Sequence, residues 1–312
     1  MKKKVVVFGG GNGLSTLLSG LKEFPVDITA IVSVSDDGKS TGRLREEFNI
    51  PAMGDVRRVL ISLSEVEPIV EKLMNYRFQT TSDLDGHTVG NLMLTALTNI
   101  TGNMSDSIEV LGNVFNLKGK VLPLTEDNVV LMAHMKDGKT IEGEHIITDY
   151  PSQIQDLFYK EEPVIPTQVL EEIRQADMII LSMGSLFTSV ICNLISKDVI
   201  QAIDESHAKI LYVCNIMTQP GETDDFTVSD HVETLNRYLG KNKITDVIVN
   251  TGEITPEVIE KYAVEEQKDP VVIDYENLKD VRLIEDQLVK IIHDQIHHDV
   301  MKLGLDIYST LM

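Results

Sequence analysis

The chain has 312 residues, enough for two average domains or for one large α/β unit with an insertion, and it needs no disulfide or metal staple to fold. Lys plus Arg number 28 against 49 Asp plus Glu, a formal charge of −21 that excludes non-specific binding to nucleic acid or to an anionic membrane. Hydrophobic residues make up 42%, the share of an ordinary globule and not of a disordered acidic tail. Cys192 and Cys214, both in apolar stretches without CxxC spacing, suit a reducing compartment. The apolar run after Met1–Lys4 is too short for a secretory leader, and no window reaches the roughly 20 apolar residues of a membrane span. A cytoplasmic location is therefore expected.

Taken in chain order, short Val/Ile-rich runs alternate with amphipathic helical segments, the pattern of a mostly parallel sheet covered by helices. Strands are expected at Lys4–Phe8, Ile28–Val34, Met178–Leu181, Lys209–Val213, Asp246–Val249 and Val271–Ile273. Their lack of strict alternation fits burial on both faces. Val129–Met135, the turn at Asp137-Gly138 and Lys139–Ile147 predict an antiparallel hairpin within an insertion over 118–166. No repeat or long linker divides the chain, so residues 1–312 are read as one α/β domain.

Four loops hand over to helices. Gly9-Gly10-Gly11-Asn12-Gly13 precedes Leu14, Leu17, Leu18 and Leu21, one face of a helix whose free amides and dipole favour a phosphate. The spacing is not GxGxxG, because position 14 is leucine, which weakens a nicotinamide-cofactor reading. Next comes Ser35-Asp36-Asp37-Gly38-Lys39-Ser40-Thr41-Gly42-Arg43. It is no Walker A loop, since position 33 is serine. Asp36 and Asp37 at a strand's carboxyl end could bind ribose hydroxyls, hold Mg²⁺ or act as general base, or could simply form a solvated turn.

Of eight arginines, Arg43, Arg45, Arg57 and Arg58 fall within sixteen residues, giving Gly38–Leu63 a local charge of +2. Such a patch suits a polyanionic ligand such as a diphosphate, unless Glu46, Glu47 and Asp55 neutralise it as surface pairs. Gly54-Asp55 and Asp85-Gly86-His87-Thr88 open the third and fourth helices, with His87 and Asn91 four apart at one helix mouth. Asn91 in an apolar helix needs a partner, either a ligand or backbone; His87 alone reads as readily as a cap or core residue. Met183-Gly184-Ser185-Leu186 repeats the arrangement later in the chain. His293, His297 and His298, read as a C-terminal helix, suggest a solvated face before they suggest zinc, for want of HExxH or a cysteine partner.

GGGNGLSTLL (Gly9–Leu18), SDDGKSTGRLR (Ser35–Arg45), Gly54-Asp55-Val56-Arg57, GHTVGN (Gly86–Asn91), GSLFTS (Gly184–Ser189) and YVCNIMTQPGET (Tyr212–Thr223) followed by Ser229-Asp230-His231 occur in this order. Together they resemble the CofD/YvcK family over nearly the whole chain, and most of all its bacterial YvcK branch, the gluconeogenesis factors. The resemblance implies a Rossmann-like α/β fold that binds a nucleotide-diphosphate compound. In the CofD branch that implies Mg²⁺-dependent transfer of 2-phospho-L-lactate. In the YvcK branch it implies binding of UDP-sugars, notably UDP-N-acetylglucosamine, with a role in cell shape and cell-wall precursor supply during gluconeogenic growth.

Carried over by matching motif, Gly10, Gly11, Asn12 and Gly13 would cradle phosphates. Arg43, Asp55, Arg57, His87, Asn91, Gly184, Ser185, Asn215, Thr218, Tyr262 and His298 would line the pocket. Asp36 and Asp37 would be catalytic, or hold Mg²⁺, only in a transferase; no cofactor is required for a sensor. Lys39 stands where a second glycine is usual, Ser182-Met183-Gly184 replaces Gly-Pro-Gly, and His297 aligns with an expected phosphate-binding arginine. Two classes of function follow: a nucleotide-sugar-binding regulator, expected as a homodimer with a protein partner in cell-wall precursor synthesis, or an Mg²⁺-dependent transferase. An absence of released UDP on incubation with UDP-sugar and Mg²⁺ would favour the first.

Overall fold

The computed structural model describes residues 2–312. The first half runs β1 (Lys3–Gly9), α1 (Gly11–Leu21), β2 (Val26–Val32), α2 (Lys39–Phe48), α3 (Gly54–Leu63), α4 (Pro68–Asn75), α5 (Val89–Thr101), α6 (Met104–Phe115) and β3 (Lys120–Pro123). An excursion follows, formed by β4 (Leu131–Met135), β5 (Thr140–Glu142), α7 (Glu144–Thr148) and β6 (Ile154–Tyr159). The second half runs α8 (Thr167–Arg174), β7 (Met178–Leu181), α9 (Lys197–Glu205), β8 (Lys209–Val213), α10 (Val228–Asn236), β9 (Asp246–Asn250), α11 (Pro256–Glu265) and β10 (Arg282–Asp286). It closes with the hairpin β11 (Val289–Ile292) and β12 (Gln295–His298), then α12 (Val300–Thr310).

Seven strands form one parallel sheet in the order β10-β9-β8-β7-β1-β2-β3. The chain builds outward from β1 through β2 to β3, then returns to β7 on the other side of β1 and builds outward again. The strand order therefore reverses between β1 and β7, and open α/β sheets bind ligands at the carboxyl edge of such a point. Val5, Val6, Val7 and Phe8 are all buried, which explains why β1 reads as a continuous apolar run: helices cover both faces. Helix α1 lays Leu14, Leu17, Leu18 and Leu21 onto the sheet. Its outer side meets α12 so closely that a Cβ on Gly20 would lie 1.9 Å from the Val300 carbonyl oxygen. Glycine at position 20 is what permits this crossing.

Five of the six expected strands are present to within two residues at either end. Val271–Ile273 is not a strand: it lies across loops at the carboxyl edge, with Val271 N donating to Ile216 O at 2.9 Å. The sheet is completed instead by β3 and by β10, whose sequence RLIED is too polar to announce a strand but suits an edge. The Asp137-Gly138 turn forms as expected, with Gly138 at φ 87°. A third strand, β6, joins that hairpin on the far side of β4, and residues 144–148 turn into α7. The C-terminal histidines lie on no helix. His293 and Asp294, at φ 50° and 57°, make the tight turn of the β11–β12 hairpin, and two consecutive positive-φ residues match strand twist there. Helix α12 begins only after Asp299, whose carboxylate accepts from Met301 N at 3.1 Å and Lys302 N at 3.3 Å.

Candidate ligand-binding crevice

Two loops meet at the carboxyl ends of β1 and β7. Gly11, at φ +59°, turns the chain from β1 into α1; Gly10 at the N-cap offers no side chain, and the Gly11 amide is met by the Asp55 carboxylate. A Cβ on Gly13 would lie 2.5 Å from the Met183 carbonyl oxygen and 2.6 Å from the Gly184 nitrogen, so the two loops touch backbone to backbone. Gly184 in turn packs against Ser189. Asn215, after β8, donates to Gly184 O at 2.9 Å and ties a third loop to the pair. Gly10, Gly11, Gly13, Gly184, Ser185 and Asn215 are thus brought together, with Asn12 in the first turn of α1.

Acids surround this junction. Asp55, buried in the first turn of α3, sets its carboxylate against Gly10; a Cβ there would lie 2.6 Å from Asp55 Oδ2. Burial pushes the Asp55 carboxyl above its ordinary range, opposed chiefly by Arg58, which it pairs with at 2.6 Å. Asp36 accepts from Gly38 N at 2.9 Å through Oδ1, and its Oδ2 faces Gly54. Asp37 serves a different purpose. Its two oxygens accept from Glu144 N at 3.1 Å and His145 N at 2.8 Å, so it caps α7 and pins the excursion to the crevice.

Two acids in this group carry no mark in the sequence-based site. Glu144 is pushed up to about 8, first by desolvation and then by Asp36 and Asp37. Glu222 is buried, accepts from Ser185 Oγ at 2.6–2.7 Å and from Phe187 N at 3.0 Å, and is raised by burial. Glu222 lies within the TQPGET stretch and could have been found there as an acid beside Thr223. Glu144, in the excursion, gives no local signal. No group of three or more His, Cys, Asp or Glu side chains has metal-ligating geometry among the described residues. Asp36 and Asp37 lie close enough to raise Glu144, so oxygen donors suited to a hard divalent cation stand near one another, short of a three-ligand cluster.

The arginine patch divides. Arg45 is buried and donates to Ser35 O at 3.0 Å, Asp36 O at 2.9 Å and Asn128 Oδ1 at 2.9 Å, clamping the acidic loop to the start of the excursion. Arg57 is buried between α3, α4 and α5. It donates to Asn91 Oδ1 at 3.0 Å and also to Asn75, and desolvation followed by Arg58 and Arg77 lowers it to about 10. Asn91, at the start of α5, thereby has its partner. His87 is buried with Nδ1 2.8 Å from Ser40 Oγ, and desolvation, then Arg43, lowers it. Arg43 itself is exposed.

Beyond Met183 the crevice continues into a cavity of about 230 Å³ lined by Asn215, Thr218, Tyr262, Lys268, Ile296 and His298 among others. Thr218 pairs with Asp269 through N–H to O at 2.8 Å and accepts from Asp269 N at 2.9 Å. Tyr262 OH accepts from Ile296 N at 2.8 Å, which holds the β11–β12 hairpin beside the cavity. Nε2 of His298 is buried without a hydrogen-bond partner, and desolvation lowers the imidazole to about 4, so it is neutral at pH 7. Strand alternation sends His297 the other way: it is exposed and sits opposite Lys290.

Comparison with known proteins agrees with this architecture. The family model described as 2-phospho-L-lactate transferase CofD matches residues 5–292. The chain is 46% identical to the gluconeogenesis factor of Bacillus subtilis (strain 168) over 97% of its own length and 96% of that protein's. It is 45% identical to the gluconeogenesis factor of Halalkalibacterium halodurans, over 97% and 95%. A crystal structure of a Bacillus halodurans protein superposes with a TM-score of 0.95 at 44% identity, covering 99% of this chain and all of the other. With its ordered motifs, its sheet reversing between β1 and β7, and these matches over almost its full length, the chain belongs to the CofD family.

Proposed function

We propose that this chain binds a nucleotide-diphosphate sugar of the UDP-N-acetylglucosamine class and acts as a regulatory protein. The observation that carries the reading is the backbone contact between the Gly9–Gly13 and Met183–Ser185 loops at the strand-order reversal. The amides of α1 beyond Gly11 suit a diphosphate there. The adjoining cavity, with neutral His298, Thr218 and Tyr262, offers hydrogen-bonding groups for the rest of the ligand. Relatives named gluconeogenesis factors support a role in gluconeogenic growth, and the reading adds a cytoplasmic role in cell shape and cell-wall precursor supply exerted through a protein partner. Thermal shift tests the binding: ligand at one hundred times its dissociation constant adds about 2.7 kcal/mol. UDP-N-acetylglucosamine should raise the melting temperature and NAD should not; indifference to both refutes the proposal.

The CofD family match, with Asp36 and Asp37 close to Glu144, favours a second reading, an Mg²⁺-dependent transferase acting on a nucleotide-diphosphate donor. Mg²⁺ held by these acids would supply charge stabilisation for the diphosphate. Release of UDP from UDP-sugar in the presence of Mg²⁺, abolished by Asp36→Ala without loss of the fold, would support it. Intact ligand after prolonged incubation supports the regulator.

A further inference from the structure

Asp and Glu outnumber Lys and Arg by 49 to 28, so a cation without a carboxylate beside it is out of the ordinary in this chain. Among the described residues Arg43, Arg57 and Arg77 form no ion pair, and their neighbour Arg58 is joined to the buried Asp55. Arg57 is 4% exposed, yet its guanidinium meets only the neutral side chains of Asn91 and Asn75. A buried charge is ordinarily paired with an opposite one.

Local structure gathers these groups round His87. Phe78 N donates to His87 O at 2.9 Å, Gly86 N to Phe78 O at 3.0 Å and Val89 N to Tyr76 O at 3.0 Å. Arg77 therefore stands opposite Thr88, beside His87, and donates to Gly86 O. From the other side α2 brings Ser40, whose Oγ lies 2.8 Å from His87 Nδ1. Arg43, three residues on, shares the face of α2 that carries Ser40. Arg57 packs beneath the first turn of α5, where a Cβ on Gly90 would lie 2.6 Å from its Cδ. With Ser40 Oγ donating to Nδ1, the neutral imidazole carries its proton on Nε2, which has no acceptor among the described residues. The charges that act on His87 are Arg43, Glu47 and Arg77.

We propose that Arg43, Arg77 and His87 bind the phosphate group of a second small ligand, a phosphate monoester, in a site separate from the glycine loops. The three free oxygens of such a group can accept from donors carried by α2, by the segment at Arg77 and by the mouth of α5. Its two negative charges answer an excess of arginine that Glu47 and Asp55 leave unmatched. An anionic polymer would need a longer basic track, and the −21 of the chain opposes it. Asp55 divides the two sites: one side of its carboxylate meets Gly10, the other Arg58. The proposal does not rest on the nucleotide-sugar reading.

Proton NMR of the imidazole Cε1–H resonances tests it, with His87 identified as the resonance missing from His87→Gln. Inorganic phosphate, compared with chloride at equal ionic strength, should move that resonance saturably. It should also raise the titration midpoint of His87, because a bound dianion opposes Arg43 and Arg77 and reinforces Glu47. Arg43 is exposed and makes no hydrogen bond, so Arg43→Gln should keep the fold and weaken phosphate binding about tenfold. Arg77→Gln should weaken it similarly, whereas Arg174→Gln, at an arginine paired with Glu205, should leave it unchanged. The response should persist when UDP-N-acetylglucosamine is in excess. Displacement of phosphate by the nucleotide-sugar would assign the arginines to that ligand and overturn the second site. A response that chloride reproduces, or that survives Arg43→Gln combined with Arg77→Gln, overturns the phosphate site itself.

Discussion

Replacing Gly13 by alanine probes the contact on which the ligand proposal rests. The added methyl would lie 2.5–2.6 Å from Met183 O, Met183 C and Gly184 N, roughly 0.8 Å inside ordinary contact distance. All three are backbone atoms, so relief requires the two loops to part. Overpacking of this kind costs about 1–3 kcal/mol. At ~2.1 cal/mol/K per residue, a 312-residue chain has an unfolding entropy of about 0.66 kcal/mol/K, so the melting temperature should fall by roughly 2–5 °C. The same conversion puts a saturating ligand's 2.7 kcal/mol at about 4 °C for the wild type. In Gly13→Ala that ligand-induced rise should shrink to under 1 °C while the circular dichroism spectrum stays native. A variant that melts within 1 °C of wild type and keeps the full rise with UDP-N-acetylglucosamine would show that the loop contact neither constrains the backbone nor forms the site.

Asp37→Ala removes the cap of α7 and should cost about 1 kcal/mol, with faster limited proteolysis between Lys136 and Tyr150; unchanged cleavage there refutes the anchoring role. Glu144 is raised to about 8 in the folded state from an ordinary carboxylate value, so the folded state holds more protons than the unfolded one in between and stability falls as pH rises through that window. Glu144→Gln should therefore be more stable than wild type by a few kcal/mol at most at pH 8 and nearly equal to it at pH 4.5, read from urea midpoints; an equal difference at both pH values refutes the assignment. His298→Leu removes the unpartnered Nε2 from the cavity and should weaken ligand binding about tenfold by isothermal titration with little loss of stability, whereas His297→Leu should alter neither.

Much of this fold was legible because its determinants are local. Four glycines in five residues, then leucines at helical spacing, specify a strand, a tight turn and a helix before any tertiary contact is known. What sequence could not show depends on contacts between distant segments. Asp37 reads as a free carboxylate until α7 arrives, 107 residues later, and takes both oxygens. Arg45 and Arg57 read as parts of a cationic patch, yet one is spent on carbonyls and Asn128 and the other on Asn91 and Asn75. The β11–β12 hairpin escaped because its turn uses His293-Asp294, two residues that tolerate positive φ but do not announce it as Asn-Gly would. Asn91, an amide in an apolar helix, needs a partner on sequence grounds alone, and the partner is internal.

The acids of the crevice bear on how an anion could bind there at all. Asp55 already lies against Gly10 and Gly11, where the α1 amides would receive a phosphate, and Asp36 and Asp37 stand close enough to Glu144 to raise it. A bare diphosphate brought to this point would meet like charge in a partly desolvated setting, where repulsion is poorly screened. Two things can lower that cost. Glu144 can remain protonated, in keeping with its raised value. Asp36 and a deprotonated Glu144 would be the groups to hold Mg²⁺, which would offset the charge of the diphosphate. The two routes differ in sign: ligand binding without metal should weaken as pH rises through 8, and binding with Mg²⁺ should strengthen. The acidity of the site therefore makes the metal dependence of binding a function of pH.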